Sequence, residues 1–155
     1  MSQTALLADQ IRRAFEGEAW HGDPVLTILE DVNANQAAAH PIKKAHSIWE
    51  LVLHIRAWDD AVLRRTGGTA VNLSDKENFP PISDTSEKAW QEAVERLNGT
   101  HKQLIQAVAA FPDARLQEQV PGKREKYYNF YYMFSGIVQH ELYHAGQIVI
   151  LKKSF

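Results

Sequence analysis

The stretch FYYMFSGIVQHELYHAGQIVILK, from Phe130 to Lys152, constrains the fold more than any other part of the chain. As a helix it is apolar around most of its circumference, so burying a single face does not satisfy it and other elements must surround it. Three further segments supply what it needs, each with one apolar stripe at three-and-four spacing. Leu7, Ile11, Ala14 and Phe15 mark a first helix over residues 3–17, ended by Gly17. A capping box, Ser47 with Glu50, opens a second, in which Ile48, Leu51, Ile55, Trp58 and Val62 keep the helical period until Gly67 and Gly68. Asp84 or Ser86 caps a third, striped by Trp90, Ala93, Val94, Leu97, Leu104, Ile105 and Val108 and closed by Pro112.

The connections complete the expectation. In WHGDPVLTILEDV, Asp23 suits an N-cap and Pro24 a first helical position, which predicts a short extra helix from about Pro24 to Val32. Residues 33–46 read as connection, because Pro41 biases His40 away from helical geometry. Residues 66–85 also read as loop, long enough to cross the fold or cover a site. The Pro121-Gly122 pair marks a turn before the last helix, and no strand pair is evident. The prediction is an all-α four-helix bundle in one domain over residues 1–155, ordered up, down, down, up if the 66–85 segment joins two parallel helices.

Composition sets the chemistry that is open to such a chain. At 155 residues and 45% hydrophobic content, one well-formed core is within reach. A net charge of −2 with acids and bases mixed along the chain offers no stripe for a phosphate backbone, so nucleic acid is not expected as a partner. No apolar run is long enough for a bilayer and the first residues lack the pattern of a signal peptide, so no membrane partner and a cytoplasmic location are expected. Without cysteine, any metal must be held by His, carboxylate or carbonyl groups, and thiol chemistry requires an outside thiol.

His140 and His144 lie four residues apart, which puts both imidazoles on one helix face a turn apart. Seven histidines placed at random give roughly 0.3 such pairs, so spacing alone does not establish a site. The apolar neighbours Ile137, Ile148 and Leu151 add weight, because two imidazoles among them need partners and a cation satisfies both. A third ligand must come from another helix. His54, among Leu51, Ala57, Trp58 and Ala61, and His101, among Leu97, Leu104, Ile105 and Val108, both qualify, and periodicity does not choose between them. His21 reads as a surface residue near a pocket mouth, and His40 and His46 as solvated loop residues.

HELYH has the form of the zinc-protease motif, but the sequence argues against a protease. That chemistry needs a third ligand downstream, and AGQIVILKKSF after His144 holds no His, Asp, Glu or Cys. Glu141 also lies about 100° around the helix from His140, so nothing requires it to face the same ion.

SIWELVLHIRAWDDAV followed by GIVQHELYHAGQIVILKK resembles the DinB-like (DinB/YfiT) superfamily of metal-binding four-helix bundles, and the AWHGDP and HPIKKAHSIWE segments extend the resemblance over nearly the whole chain. The resemblance implies His54, His140 and His144 as ligands of a divalent metal ion, nickel or zinc, and a homodimer. It also implies a small-molecule substrate, with a low-molecular-weight thiol as cosubstrate. Three neutral imidazoles would leave the ion's charge to act on a thiol or a water attacking a small electrophile, in an S-transferase-like or hydrolytic reaction. The alternative is a non-catalytic metal-binding or dimerisation module, favoured if His101 or His21 supplied a fourth ligand. Trp58 and Tyr143 are expected as pocket walls. Glu50 is explained by capping and Glu141 by solvent exposure, which leaves no dedicated acid or base.

Overall fold

The structure is a computed structural model and describes residues 2–155. Four long helices carry it: α1 (Gln3–Phe15), α4 (Ile48–Thr66), α6 (Glu87–Ala109) and α7 (Phe130–Lys152). Three short ones lie between them: α2 (Val25–Leu29), α3 (Ala34–Ala38) and α5 (Asp75–Asn78). No strand occurs among the described residues, so the expected all-α bundle is the fold.

Caps fix where the long helices start. Ser47 Oγ accepts from the Glu50 backbone N–H at 3.1 Å and Glu50 accepts from the Ser47 N–H at 2.7 Å, the reciprocal pair that the sequence predicts. At α6 the cap is Ser86, which accepts from Ala89 N–H; Asp84 instead accepts from the Ser86 N–H. Asn129 caps α7 by accepting from Tyr132 N–H.

Each long helix packs against two others, α4 and α1 both lying between α6 and α7. Contacts between α4 and α6 advance together along both helices, Trp49 meeting Trp90 and Asp59 meeting His101. Those between α6 and α1 run in opposite order, with Phe15 on His101 and Thr4 on Asp113 beyond the end of α6.

Two of the short helices, α2 and α3, close one end of the bundle. α2 packs on α7, and α3 packs on α4 and α6. Trp90 Nε1 donates to Val32 O at 2.7 Å, Ala34 N–H donates to Glu87 at 2.9 Å, and Lys152 reaches Ile28 O and Asp31. Two expectations are corrected here. Residues 33–46 are not all connection, because Asn33 and Gln36 form a capping box that starts α3. The extra helix α2 is shorter than Pro24–Val32, with Pro24 rather than Asp23 in the capping position.

At the opposite end, Asp113 accepts from the backbone N–H of Gln3 and Thr4 and from the Thr4 hydroxyl, which ties the start of α1 to the end of α6. The Pro121-Gly122 turn is present. Gly122 has φ +80°, and a Cβ there would stand 3.0 Å from Ala70 Cβ, so both backbone conformation and close approach demand glycine.

The core is divided. One apolar cluster contains Phe15, Ile55, Leu97, Ala145 and their neighbours toward the α2–α3 end; the other contains Ile11, Val62, Leu104, Ile137 and their neighbours toward the Asp113 end. Between those positions, on three of the long helices, lie polar side chains: Asp59 on α4, His101 on α6, and His140, Glu141 and His144 on α7, with His54 on α4 directly before Ile55.

Candidate metal centre

His54 comes from the middle of α4, and His140 and His144 come from successive turns of α7 on the face that packs against it. The three rings turn their Nε2 atoms toward one another. His140 Nε2 lies 3.0 Å from His54 Nε2 and 3.1 Å from His144 Nε2. His54 and His144 are buried at 7% exposure each, while His140 is half-buried and reaches a cavity.

The far nitrogens decide which form these rings take. His54 Nδ1 donates to the Asn78 carbonyl at 2.9 Å, and His144 Nδ1 donates to Gln147 Oε1 at 2.6 Å. A neutral imidazole with hydrogen on Nδ1 keeps a lone pair on Nε2. Both outer rings therefore aim lone pairs at His140 Nε2, which carries at most one hydrogen, so one close N···N contact has no proton to bridge it. Burial lowers the pKa of all three, and at His140 the neighbouring His144 and His54 lower it further, to about 3. The cluster is thus three neutral rings with converging lone pairs.

A divalent cation resolves that arrangement. Metal–nitrogen bonds of about 2.0–2.1 Å at angles of about 90° to 109° set donor atoms roughly 2.8–3.4 Å apart, which spans the observed separations. The donor set is all imidazole, suited to a first-row ion such as zinc, copper, iron or nickel. The residues present therefore fit a metal, and the outward hydrogen bonds to Asn78 and Gln147 orient its ligands.

Residues 66–85 belong to this site. Asn78, the last residue of α5, holds His54 through its carbonyl and accepts from Trp58 Nε1 at 2.9 Å through its side chain. The next residue, Phe79, is stacked between His54 and His46, at 4.2 and 3.9 Å between ring centroids. The segment that reads as loop in the sequence thus contains a helical turn, and its Asn78–Phe79 corner seals one side of the histidine cluster.

The open side is a cavity of about 680 Å³ lined by His140 together with Trp58, Tyr128, Tyr131, Tyr132 and Tyr143. Trp58 and Tyr143 stand where pocket walls are expected, although Tyr143 is 65% exposed and meets His144 edge-on. Among the described residues His140 is the one imidazole in this wall, which holds no Asp, Glu, Lys or Arg.

The other singled-out residues lie elsewhere. His21 is exposed beside a separate cavity, and His40 and His46 are exposed, His46 lying 3.3 Å from the capping carboxylate of Glu50. His101 is not a fourth member of the cluster: it is fully buried, stacked on Phe15 at 3.8 Å, and donates from Nδ1 to Asp59 Oδ2 at 3.0 Å. Glu141 Oε1 lies 3.1 Å from the same Nδ1. The expectation of a solvent-exposed Glu141 is therefore overturned, since the stripe of Phe134, Ile137, Ala145 and Ile148 turns it into the core. Burial raises the pKa of Asp59 and raises that of Glu141 to about 8. Burial opposes charge on His101 too, but the hydrogen bond to Asp59 and the close Glu141 carboxylate together outweigh it and bring the ring to about 10. Asp59 escapes a reading of motifs; the signal that could have found it is an acid standing in the apolar register of Ile55 and Val62.

Fold and site together define a helical bundle whose three histidines can hold a metal ion. The chain belongs to the DinB superfamily, whose family model matches residues 19–148 and so takes in all three histidines. No match was found among curated proteins or solved structures. No helix among the described residues is long and apolar enough to cross a membrane.

Proposed function

We propose that this protein is a divalent-metal-dependent enzyme that joins a small external thiol, or less readily a water, to a small electrophile. An ion held by His54, His140 and His144 supplies the positive charge that makes a thiol or water acidic enough to act as a nucleophile at neutral pH. The observation that carries this reading is the position of His140, which shares its Nε2 with the histidine cluster and also forms part of a cavity wall. A structural metal is closed by protein ligands on every side; this cluster has three candidate ligands and an opening.

The chain's own residues have definable tasks in that reaction. Asn78 and Gln147 hold two ligand rings in the tautomer with Nε2 free. Phe79, stacked on His54, shields that ring from water. The aromatic wall, Trp58 with four tyrosines, suits an electrophile with an apolar or planar body, because nothing in it pairs with a strong charge. No carboxylate stands in that wall to serve as a general base, which favours a thiol over a water as nucleophile.

Elemental analysis of His54→Ala, His140→Ala and His144→Ala tests the centre: each should lose stoichiometric nickel or zinc, and His40→Ala should keep it. Unchanged metal content in the triple variant overturns the assignment. Activity is tested by screening small electrophiles against several cellular thiols with and without added metal. Turnover that ignores the metal defeats the mechanism, and metal binding without turnover leaves a binding module. A homodimer belongs to the same reading and is checked by sedimentation equilibrium.

A further inference from the structure

The second polar cluster has no task in that chemistry. Asp59 of α4, His101 of α6 and Glu141 of α7 meet inside the bundle with Phe15 of α1 stacked on His101, and all three side chains are 0% exposed. One imidazole nitrogen, His101 Nδ1, faces two carboxylate oxygens from different helices, at 3.0 and 3.1 Å. Its single hydrogen is directed at Asp59 Oδ2. Asp59 Oδ1, both Glu141 oxygens and the other ring nitrogen, His101 Nε2, are left buried with no hydrogen-bond partner. Bare buried carboxylate oxygens are rare in folded proteins and call for a water, an ion or a function. A proton on one carboxyl restores neutrality but brings one donor to three bare oxygens.

We propose that Asp59, His101 and Glu141 form a second divalent-cation site, sealed in the core, for an ion that accepts mixed oxygen and nitrogen ligands, such as Mn²⁺, Fe²⁺ or Zn²⁺. The charges balance once the ion displaces the proton on His101 Nδ1: two carboxylates and the imidazole, then neutral, carry −2 against the ion's +2, so a buried ion leaves no net charge. The spacing fits as well. One donor atom from each residue lies within 4.8 Å of the others, and the two nitrogen–oxygen separations match the edges of a coordination shell with bonds of about 2.0–2.2 Å. The bare second oxygens of Asp59 and Glu141 allow either carboxylate to bind through both atoms. Carboxylate and imidazole ligands projecting inward from several helices are how bundles build metal sites. The two sites differ in kind. The three-histidine site keeps the ion's charge and an opening, whereas this one neutralises it and is closed, so its ion fastens three helices and meets no substrate.

Metal stoichiometry after refolding decides the matter, since a sealed site fills as the chain closes around it. The full-length protein is unfolded in urea with a chelator, refolded with excess Mn²⁺ or Zn²⁺, desalted and measured by mass spectrometry of the metal. Two equivalents per chain are expected for the unaltered protein and one for the Asp59→Asn/Glu141→Gln variant. The His54→Ala/His140→Ala/His144→Ala variant leaves the core cluster intact and should still retain one Mn²⁺, visible as a bound-ion paramagnetic resonance spectrum. Two results overturn the proposal: no retained Mn²⁺ in that triple-histidine variant, or equal metal content in the core variant and the unaltered protein. If the core variant fails to fold, the triple-histidine variant decides alone.

Discussion

Gln147 touches no substrate in the proposed reaction, yet the orientation of His144 depends on it. Its side-chain oxygen accepts from His144 Nδ1 at 2.6 Å and keeps the ring's lone pair on the Nε2 side. Outer partners of this kind typically contribute about 10–100-fold to metal affinity. Gln147→Leu should therefore weaken nickel or zinc binding by about that factor without abolishing it, and Gln147→Glu should restore much of the loss. Competition against a chromophoric chelator measures both. At this scale the sequence was partly legible. The HxxxH spacing of His140 and His144 is visible by eye, but choosing His54 over His101 needed the resemblance, because each stands in an equally apolar stripe. What separates them is which neighbouring helix each faces, and that is a property of packing. Asp59 went unread and Glu141 was read as exposed for the same reason: an acid in a hydrophobic register can turn outward on a frayed face or inward to a partner, and the partner, His101, is 42 residues from one and 40 from the other.

Among the elements, α1 depends most on a residue far from it in sequence. The Asp113 carboxylate receives two backbone N–H groups and a hydroxyl from the first turn of α1, and those bonds hold its pKa below the ordinary 3.8. A carboxyl whose folded pKa is depressed contributes stability that is present above its unfolded value and is lost as pH falls through the folded one. The protection of α1 amides, taken relative to the intrinsic exchange rate at each pH, should thus be high at neutral pH and fall as the solution is taken below about pH 3.8, the ordinary value. In Asp113→Asn the same amides should exchange faster already at neutral pH and respond less to acid. Equal exchange in the two proteins at pH 7 would show that Asp113 does not anchor α1. The long helices were readable because their caps and stripes are local: Ser47 with Glu50 starts α4 where the sequence places it. Of the short ones, α2 was read but drawn too long, while α3 and α5 were missed. α3 follows from the Asn33 and Gln36 box, four positions inside a stretch dominated by its later proline, and α5 is a single turn that exists to carry Asn78 and Phe79 to His54.

For the whole molecule, the band of polar residues across the middle separates one apolar cluster around Leu97 from another around Leu104. Both leucines are 0% exposed on the same face of α6, with His101 between them. Leu97→Ala and Leu104→Ala should each destabilise the fold by about 2–5 kcal/mol, the usual loss for a truncated core leucine. Because their surroundings share few side chains, the double variant should equal the sum of the singles to within about 0.5 kcal/mol. Urea unfolding of the three proteins tests this, and a large coupling energy would mean that the halves behave as one core. If they are independent, the protein has two ends that can be altered separately while the histidines stay in place. The tyrosine-walled cavity could then be reshaped by substitution without loosening the packing at the far end.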